Sequence, residues 1–314
     1  MARILITPRS LTAEPPSELG RLRNAGHELV FATSGRMPDE AELLQLVPGV
    51  EGWLAGVEPV SPAVIAAADR LRVISRNGSG IDNLPMDLLR ARGVHVTRAL
   101  AANATGVAEL ALGLVLCGCR QIHEVSHGVR AGQWPRIKGR EVEGAVAGIV
   151  GAGAIGRKMA GFLASLGAEV LACDPYRPDL GNLAEAVRYI DLPELLARCE
   201  IVSLHCPMPE DGRPLIDAAA LSSMPAQAVL INTARAGLVD ETALREALDS
   251  GRIAVYGTDV FAEEPPALGS LASHPSVIAT SHIGGLTGAS VRRATKSAVD
   301  DLLSHLARVD DVVC

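Results

Sequence analysis

The segment "VAGIVGAGAIGRKMAGFLASLGAEVLACD", residues 146–174, decides the fold of this chain. A short apolar run comes first and a glycine-rich turn follows it. A helical pattern then leads into a second apolar run that ends in Asp174. A strand, a helix and a second strand in this order form a parallel βαβ unit with a right-handed crossover. The segment therefore predicts the start of a doubly wound α/β domain.

The glycine-rich turn has the spacing G-x-G-x-x-G at Gly151, Gly153 and Gly156. The first glycine permits the tight turn, the second lets a pyrophosphate approach the backbone, and the third allows the helix to pack closely on the strand. The helix opens with Ala154 and Ile155, so its N-terminus faces the anion. These five residues predict a Rossmann-type dinucleotide site.

Asp174 closes the second apolar run, where a carboxylate can accept hydrogen bonds from the adenosine ribose hydroxyls. A carboxylate there repels a 2′-phosphate, so NAD is favoured over NADP. Two alternatives remain open from the residues alone. Asp174 precedes Pro175 and could simply be a turn residue, and the nearby Arg177 could weaken the exclusion of NADP.

Length and composition set the class of protein. A chain of 314 residues suggests two domains, and 48% hydrophobic but only 3% aromatic residues suit aliphatic parallel sheets. The net charge is -7 and the basic residues are scattered, which disfavours a nucleic-acid or anionic-membrane partner. With no long apolar stretch and no C-x-x-C motif, we expect a cytoplasmic protein that has reduced cysteines and no metal site.

Strands alternate with helices on both sides of a long apolar pattern at 103–129. Apolar runs at 4–7, 28–32, 52–56 and 72–75 predict a smaller parallel-sheet domain, and from 145 onward the alternation resumes. The pattern at 103–129 predicts either a helix that offers an apolar face to a partner subunit or a buried core helix. A last helix is predicted at 289–309.

Two helix starts carry capping signals. Asp191, with Glu194 three residues later, predicts a capping box, and Asp240 predicts the N-cap of a helix that Gly251 stops.

Three charged or titratable residues follow apolar runs of the second domain, namely Arg235 in "INTARAG", Glu264 in "DVFAEEPP" and His282 in "ATSHIGG". Because the carboxyl ends of parallel strands line one crevice, we expect the three side chains to converge. Taken singly, each also has an ordinary interpretation, as a surface cation, a turn carboxylate and a strand-end histidine.

Together the three residues suit a redox step on a 2-hydroxy acid. Histidine can take up the hydroxyl proton near neutral pH, and a carboxylate bonded to the imidazole fixes its tautomer. Arginine can hold a substrate carboxylate with two hydrogen bonds and polarise the adjacent carbonyl.

At this point the chain resembles the D-isomer-specific 2-hydroxyacid dehydrogenases, and among them the phosphoglycerate dehydrogenase-like members. The resemblance covers nearly the whole chain. Its motifs are "RNGSGIDNL" (76–84), "NATGVAEL" (103–110), "VGAGAIG" (150–156), "HCPMPEDGRPLID" (205–217), "INTARAGLVDETAL" (231–244), "GTDVFAEEPP" (257–266) and "SHIGG" (281–285).

The resemblance implies hydride transfer between NAD(H) and a 2-keto or D-2-hydroxy acid, in a cleft between two doubly wound α/β domains, commonly in a homodimer. It implies that His282 is the acid/base, that Glu264 pairs with it, and that Arg235 binds and polarises the substrate. Cofactor contacts beyond the glycine turn and Asp174 are implied at Cys206, Pro207, Thr233, Ala234, Arg235, Asp259, His282, Gly284 and Gly285. Substrate contacts are implied at Asn77, Gly78, Ser79 and Gly80, whose backbone N–H groups would hold the substrate carboxylate, and Arg76 just before them is a further candidate.

The implied domains are a flavodoxin-like substrate domain at 1–98, an NAD-binding Rossmann domain at 99–285, and a C-terminal helix at 286–314 that returns to the substrate domain. Two departures from the family pattern leave the subfamily open. Ser281 stands where the family usually has proline, and Arg98–Ala99–Leu100 replaces asparagine-x-proline at the first crossover.

For the substrate, D-3-phosphoglycerate comes first because Arg76 could reach a distal phosphate or a second carboxylate, and hydroxypyruvate and glyoxylate come beside it. Arg76 could also be an ordinary solvated arginine at the end of a strand. Two other functions share parts of this pattern. Formate dehydrogenase pairs the histidine with glutamine, so Glu264 argues against it. A dinucleotide-sensing corepressor on the same fold can keep the triplet and stays open as the alternative.

Overall fold

The protein is described by a computed structural model that covers residues 1–307. The chain divides into two compact units, one containing Met1–Asn103 and the chain from Leu286 onward, the other Ala104–Gly285. The predicted last helix is therefore described as far as Ala307, and Cys314 lies outside the described residues.

The described residues contain twelve β-strands, which are β1 (Arg3–Ile6), β2 (Glu28–Phe31), β3 (Gly52–Ala55), β4 (Val73–Arg76), β5 (His95–Arg98), β6 (Val146–Val150), β7 (Glu169–Cys173), β8 (Val187–Tyr189), β9 (Ile201–Leu204), β10 (Ala228–Asn232), β11 (Ile253–Thr258) and β12 (Val277–Ala279). Between them lie the α-helices α1 (Arg9–Ala13), α2 (Gly20–Asn24), α3 (Glu40–Leu46), α4 (Pro62–Ala67), α5 (Met86–Ala91), α6 (Ala104–Cys119), α7 (Ile122–Arg130), α8 (Ala154–Ser165), α9 (Leu192–Arg198), α10 (Ala218–Ser223), α11 (Glu241–Asp249) and α12 (Gly288–Ala307).

The first unit is built on a parallel five-stranded sheet in the order β2-β1-β3-β4-β5. Successive side chains along its strands point to opposite faces of the sheet, and both faces are covered, as in a doubly wound sheet. Leu5, Trp53 and Ile74 pack toward α3, α4 and α5, whereas Ile4 and Val73 belong to a second cluster. The last helix, α12, covers that second face. This is the flavodoxin-like strand order, in agreement with the domain that the family resemblance implies.

The second unit is built on a parallel seven-stranded sheet in the order β12-β11-β10-β9-β6-β7-β8. Strand order reverses between β6 and β9, which pair directly. In an open α/β sheet, ligands bind beyond the carboxyl ends of the strands at such a switch point. The architecture thus confirms the predicted α/β class with two doubly wound parallel sheets.

The predicted long helix at 103–129 is two helices. The chain turns at Gln121, which has a left-handed φ of 53°, and α6 and α7 meet at a bend of 67°. Helix α6 packs with its residues Ala111, Leu114 and Val115 in the core of the seven-stranded sheet. Of the two interpretations left open by the sequence, the buried core helix describes α6.

Of the two capping predictions, one is confirmed and one is wrong. Asp240 accepts a hydrogen bond from the N–H of Ala243 at 3.0 Å, as predicted. The capping box at Asp191 is wrong, because no side-chain capping bond forms there. Asp191 instead faces Arg177 at 3.3 Å, and Glu194 pairs with Arg198 at 3.0 Å.

Among residues 1–307, no individual helix is both long and apolar enough to cross a bilayer, and only the bent pair α6 and α7, taken together, reaches that length and composition.

Candidate active site

The glycine turn after β6 has the close approaches that its spacing predicts. Gly151 has φ +94°, and a β-carbon there would lie 2.7 Å from the carbonyl oxygen of His205. A β-carbon at Gly156 would collide with the carbonyl oxygen of Gly151. Both positions therefore require glycine for steric reasons within the protein itself.

Gly153 differs from these two glycines. A β-carbon there would meet no atom within 4 Å, and the residue is exposed as the N-cap of α8. Open space at the N-terminus of a twelve-residue helix suits an approaching phosphate. Thr233, beyond β10, adds a buried hydroxyl without a hydrogen-bond partner among the described residues. The residues present thus fit a dinucleotide.

Asp174 follows β7 and contacts the glycine turn. Its Oδ2 accepts the N–H of Ala152 at 2.8 Å, and its Oδ1 accepts the N–H of Tyr176 at 2.9 Å. Each carboxylate oxygen has two lone pairs, so both can accept a further hydrogen bond. Asp174 therefore acts as a turn residue, which was one alternative, and keeps the acceptors that ribose hydroxyls need.

The predicted triplet lies beyond three neighbouring strands of the second unit. Arg235 follows β10, Glu264 follows β11 on a longer turn, and His282 follows β12. These strands lie side by side in the order β12-β11-β10, so the three residues share one edge of the sheet.

Glu264 and His282 are brought into direct contact. The Nδ1 atom of His282 lies 2.9 Å from each carboxylate oxygen of Glu264. The side chains of His282 and Glu264 are 51% and 40% exposed, respectively, so the imidazole is accessible. With Nδ1–H donating to the carboxylate, the tautomer is fixed and Nε2 is the nitrogen available for proton exchange.

Asp259 holds the backbone on both sides of His282. Its side chain is buried, and it accepts the hydroxyl of Thr280 at 2.6 Å and the N–H groups of Ile283 and Gly284 at 2.9 and 2.7 Å. His282 itself has a left-handed φ of 55°, a conformation that costs energy for a residue with a β-carbon. Asp259 therefore compensates for a strained loop, and its implied contact with the cofactor stays a prediction.

A local polar turn fixes the backbone at Arg235. Asn232 donates its Nδ2–H to the carbonyl oxygen of Arg235 at 2.8 Å and accepts the N–H of Ala234 at 3.1 Å. The guanidinium Nη1 donates to the carbonyl of Ala234 at 2.7 Å. Asn232 was not predicted as a site residue, although its place two residues before Ala234 is the local signal for such a turn.

His205, after β9, is a second residue that the sequence analysis missed. Its Nε2 lies 2.9 Å from Ser203 Oγ, and its Nδ1 is buried without a partner among the described residues. Burial lowers the pKa of His205 from 6.5 to about 4. The ring is thus neutral at physiological pH, and the backbone carbonyl of the same residue lies beside the turn at Gly151.

The remaining predicted residues are distributed over both units. Cys206 and Pro207 follow β9, and Gly284 and Gly285 end the second unit. In the first unit, Arg76 is the last residue of β4, and Asn77, Gly78, Ser79 and Gly80 form the loop that follows. Arg76 is buried, whereas the four loop residues are half-buried.

The chain is similar to known proteins over most of its length. The family profile of the D-isomer specific 2-hydroxyacid dehydrogenase NAD binding domain matches residues 112–284. D-3-phosphoglycerate dehydrogenase of Mycobacterium leprae is 37% identical over 273 residues, which cover 86% of this chain and 52% of that protein. Hydroxypyruvate reductase of Thermotoga maritima is 33% identical, over 85% of this chain and 89% of that protein.

Among solved structures, the TT0316 protein of Thermus thermophilus is 32% identical, covers 97% of each chain and has a TM-score of 0.87. The chain spans about half the length of the phosphoglycerate dehydrogenases it matches. The profile covers more than half of the chain and lies on the sheet that carries the glycine turn and the Glu264–His282 pair. The chain belongs to the D-isomer-specific 2-hydroxyacid dehydrogenase family.

Proposed function

We propose that this protein is an NAD-dependent oxidoreductase that interconverts a D-2-hydroxy acid and its 2-keto acid. The observation that carries the proposal is the Glu264–His282 pair, with Nδ1 2.9 Å from both carboxylate oxygens, at the carboxyl edge of a sheet with a dinucleotide turn. When bound, NADH supplies the hydride that C2 of the keto acid accepts.

The chain's own residues transfer the proton and bind and orient the substrate. His282 gives a proton from Nε2 to the carbonyl oxygen during reduction and takes it back during oxidation. Glu264 keeps the imidazole oriented, with Nδ1 toward the carboxylate and Nε2 left for proton exchange. Arg235 holds the substrate carboxylate and polarises the neighbouring carbonyl. In the loop Asn77–Gly80, the N–H groups of Ser79 and Gly80 are given to that carboxylate, since those of Asn77 and Gly78 already donate to backbone carbonyls.

The cofactor assignment rests on the second unit, with its glycine turn, the acceptors of Asp174 and the profile match at 112–284. In this proposal residues 99–285 bind NAD(H), while residues 1–98 with 286–314 bind the substrate. D-3-phosphoglycerate, hydroxypyruvate and glyoxylate are the substrates to try first, since relatives carry the names D-3-phosphoglycerate dehydrogenase and hydroxypyruvate reductase.

The test is an assay of NADH oxidation against a panel of 2-keto acids that includes hydroxypyruvate, glyoxylate and 3-phosphohydroxypyruvate. Turnover of at least one of them is the expected result, with the D-hydroxy acid as product for hydroxypyruvate and 3-phosphohydroxypyruvate, whose products are chiral. If NADH binds but no member of the panel is reduced, the enzyme proposal is overturned and a sensor that only binds the dinucleotide replaces it.

For assembly and location, the proposal includes a cytoplasmic homodimer. Its support is a set of exposed apolar side chains on α7 and just after it, with Ile122 51%, Val129 47% and Trp134 81% exposed. Exposed aromatic and aliphatic residues in one segment are typical of subunit interfaces. Light scattering on the purified protein should give twice the monomer mass of 32.7 kDa, and Trp134→Glu should shift the mass toward the monomer.

A further inference from the structure

A tyrosine hydroxyl is buried beneath the turn that carries Arg235. Tyr256 lies on β11, is only 4% exposed, and packs in the apolar cluster to which α9, α10 and α11 also contribute. A hydroxyl group in such surroundings is costly unless it forms hydrogen bonds. The partners of this hydroxyl therefore indicate what it does.

The hydroxyl is bonded to the side-chain amide of Asn232, the fully buried last residue of β10. One amide proton of Asn232 goes to the carbonyl of Arg235 at 2.8 Å, and the other goes to the Tyr256 hydroxyl at 3.2 Å. The amide oxygen accepts the N–H of Ala234 at 3.1 Å. Turning the amide by 180° would set its oxygen against one carbonyl and its NH2 group against an N–H donor. The amide therefore has one orientation, in which Tyr256 accepts its second proton.

The turn that Asn232 holds also sets the position of the guanidinium of Arg235. The Nη1 atom of Arg235 donates to the carbonyl of Ala234 at 2.7 Å. Asn232 binds the N–H of Ala234 and the carbonyl of Arg235, so it fixes the same stretch of backbone from both ends. A displacement of the Asn232 amide would thus move the backbone on which the guanidinium rests.

Thr258, two positions further along β11, fixes the tyrosine hydroxyl from another side. Burial raises the pKa of Tyr256, while hydrogen bonds with the side chains of Thr258 and Asn232 act in the opposite direction. The Thr258 hydroxyl also lies within reach of two carbonyl oxygens, that of Asn232 at 3.2 Å and that of Val260 at 3.0 Å. The tyrosine hydroxyl is therefore a fixed partner for the amide.

We propose that Tyr256 is a positioning residue that acts through the Asn232 amide to place the guanidinium of Arg235 for the substrate carboxylate. This inference rests on the proposed function, in which Arg235 binds and polarises the 2-keto acid. Without the hydroxyl, the second amide proton of Asn232 is buried without its acceptor, and the amide must shift to find another. The guanidinium then moves, whereas the Glu264–His282 contact does not involve this amide.

Tyr256→Phe removes the hydroxyl and keeps the ring in the core. With saturating NADH, kcat/KM for the best keto acid of the panel should fall about 10-fold, mostly through KM, because the carboxylate meets a displaced guanidinium. The dissociation constant of NADH and the pH midpoint of kcat should stay as in the wild type, because the glycine turn and His282 are not touched. A general loosening of the core would instead weaken NADH binding to the same extent and contradict the positioning role.

Tyr189→Phe is the matched control. It removes a hydroxyl that donates to the carbonyl of Pro178 at 2.7 Å, on the strand at the opposite edge of the same sheet. This variant should leave kcat/KM for the keto acid unchanged. Thermal unfolding of both variants will show that each is folded.

A double-mutant cycle with Asn232→Ala tests the route of the effect. Asn232→Ala should lower kcat/KM at least as much as Tyr256→Phe, and adding Tyr256→Phe to it should change kcat/KM less than about twofold, because the hydroxyl acts only through the amide. Equal losses from Tyr256→Phe in both backgrounds would contradict the inference. If Asn232→Ala does not fold, the comparison of Tyr256→Phe with Tyr189→Phe decides alone.

The two possible failures are distinguishable. An active wild type and a Tyr256→Phe variant with the same kcat/KM would overturn the positioning role and leave the proposed function intact. A wild type that binds NADH and reduces no keto acid would overturn the proposed function and this inference with it.

Discussion

The half of the seven-stranded sheet around β6 and the half around β12 are built in different ways. Around β6, one continuous stretch, 146–174, provides the strand, the glycine turn, the helix and the acidic residue. Around β12, Glu264 reaches His282 across 18 positions of sequence, and Asp259 reaches the same loop from a neighbouring strand. In the β6 half the site is formed mainly by backbone geometry. In the β12 half it is formed by side chains that only the sheet topology brings together. Mutations should therefore separate cofactor binding from catalysis.

The largest expected effect is in the β12 half. His282→Ala should lower kcat with the best keto acid at least about 100-fold, because the proton carrier is lost. The dissociation constant of NADH should stay within about threefold. His274→Ala is the matched control, since His274 forms a similar pair with Asp249 at 3.2 Å away from the site. An unchanged rate in His282→Ala would return this residue to an ordinary strand-end histidine.

Asp259→Asn tests, in the same β12 half, whether Asp259 holds the loop at His282. The amide can no longer accept from Thr280, Ile283 and Gly284 together, so the strained loop at His282 should relax and kcat should fall about 30-fold. Steady-state kinetics and thermal unfolding measured together will check this. Asp249→Asn serves as control. Retention of full kcat in Asp259→Asn would show that the loop holds His282 without this carboxylate.

Two glycine variants test the β6 half. Gly156→Ala should destabilise the protein by about 2 kcal/mol, because its β-carbon meets the carbonyl of Gly151. Gly153→Ala, where the space is open, should leave stability unchanged and weaken NADH binding about 10-fold. Denaturant unfolding and NADH fluorescence titration separate the two effects. If the two variants lost stability and NADH affinity to the same extent, Gly153 would have no specific role in binding the phosphate.

Asp174→Asn addresses cofactor choice. Asparagine keeps an oxygen for the N–H of Ala152 but removes the charge that repels a 2′-phosphate, so the preference for NADH over NADPH should fall about 5-fold. The ratio of kcat/KM with the two cofactors measures this. If the wild type used NADH and NADPH equally well, the positive charge of Arg177 would be offsetting the repulsion between the Asp174 carboxylate and the 2′-phosphate.

His205 gives the smallest effect, a pH dependence of stability. Its folded-state pKa is lowered from 6.5 to about 4, so between these values the unfolded chain binds more protons and stability falls as the pH falls. From pH 7.5 to 5.5 the loss due to this residue should be about 1 kcal/mol. His205→Gln should remove that part of the loss in denaturant unfolding, whereas His127→Gln, at an exposed position, should not. An identical pH dependence in His205→Gln and the wild type would contradict the buried neutral ring.

The sequence predicts most of the fold because strand and helix patterns are local. The apolar runs at 4–7, 28–32, 52–56 and 72–75 correspond to β1 to β4. Strand β8, Val187–Tyr189, has no such signal, since it is three residues long with Arg188 at its centre and lies at the sheet edge. The break at Gln121 likewise depends on a backbone conformation that no residue type there requires.

For the site, the glycine turn and the residues of the triplet could be predicted, but not their supports. The donors to Asp259 lie 21 to 25 residues away, and buried Arg76 donates to the carbonyl of Ala55, 21 positions earlier on a neighbouring strand. These contacts arise only when parallel strands are ordered in the sheet. This explains why Arg76 resembles a free phosphate ligand in the sequence and lies buried in the fold.

The most direct test of the account is a labelled turnover. The protein is mixed with hydroxypyruvate and NADH that carries deuterium at the transferred position of C4, and the glycerate formed is examined by mass spectrometry and chiral chromatography. The account predicts D-glycerate with one deuterium at C2. L-glycerate, or glycerate without the deuterium, would contradict it.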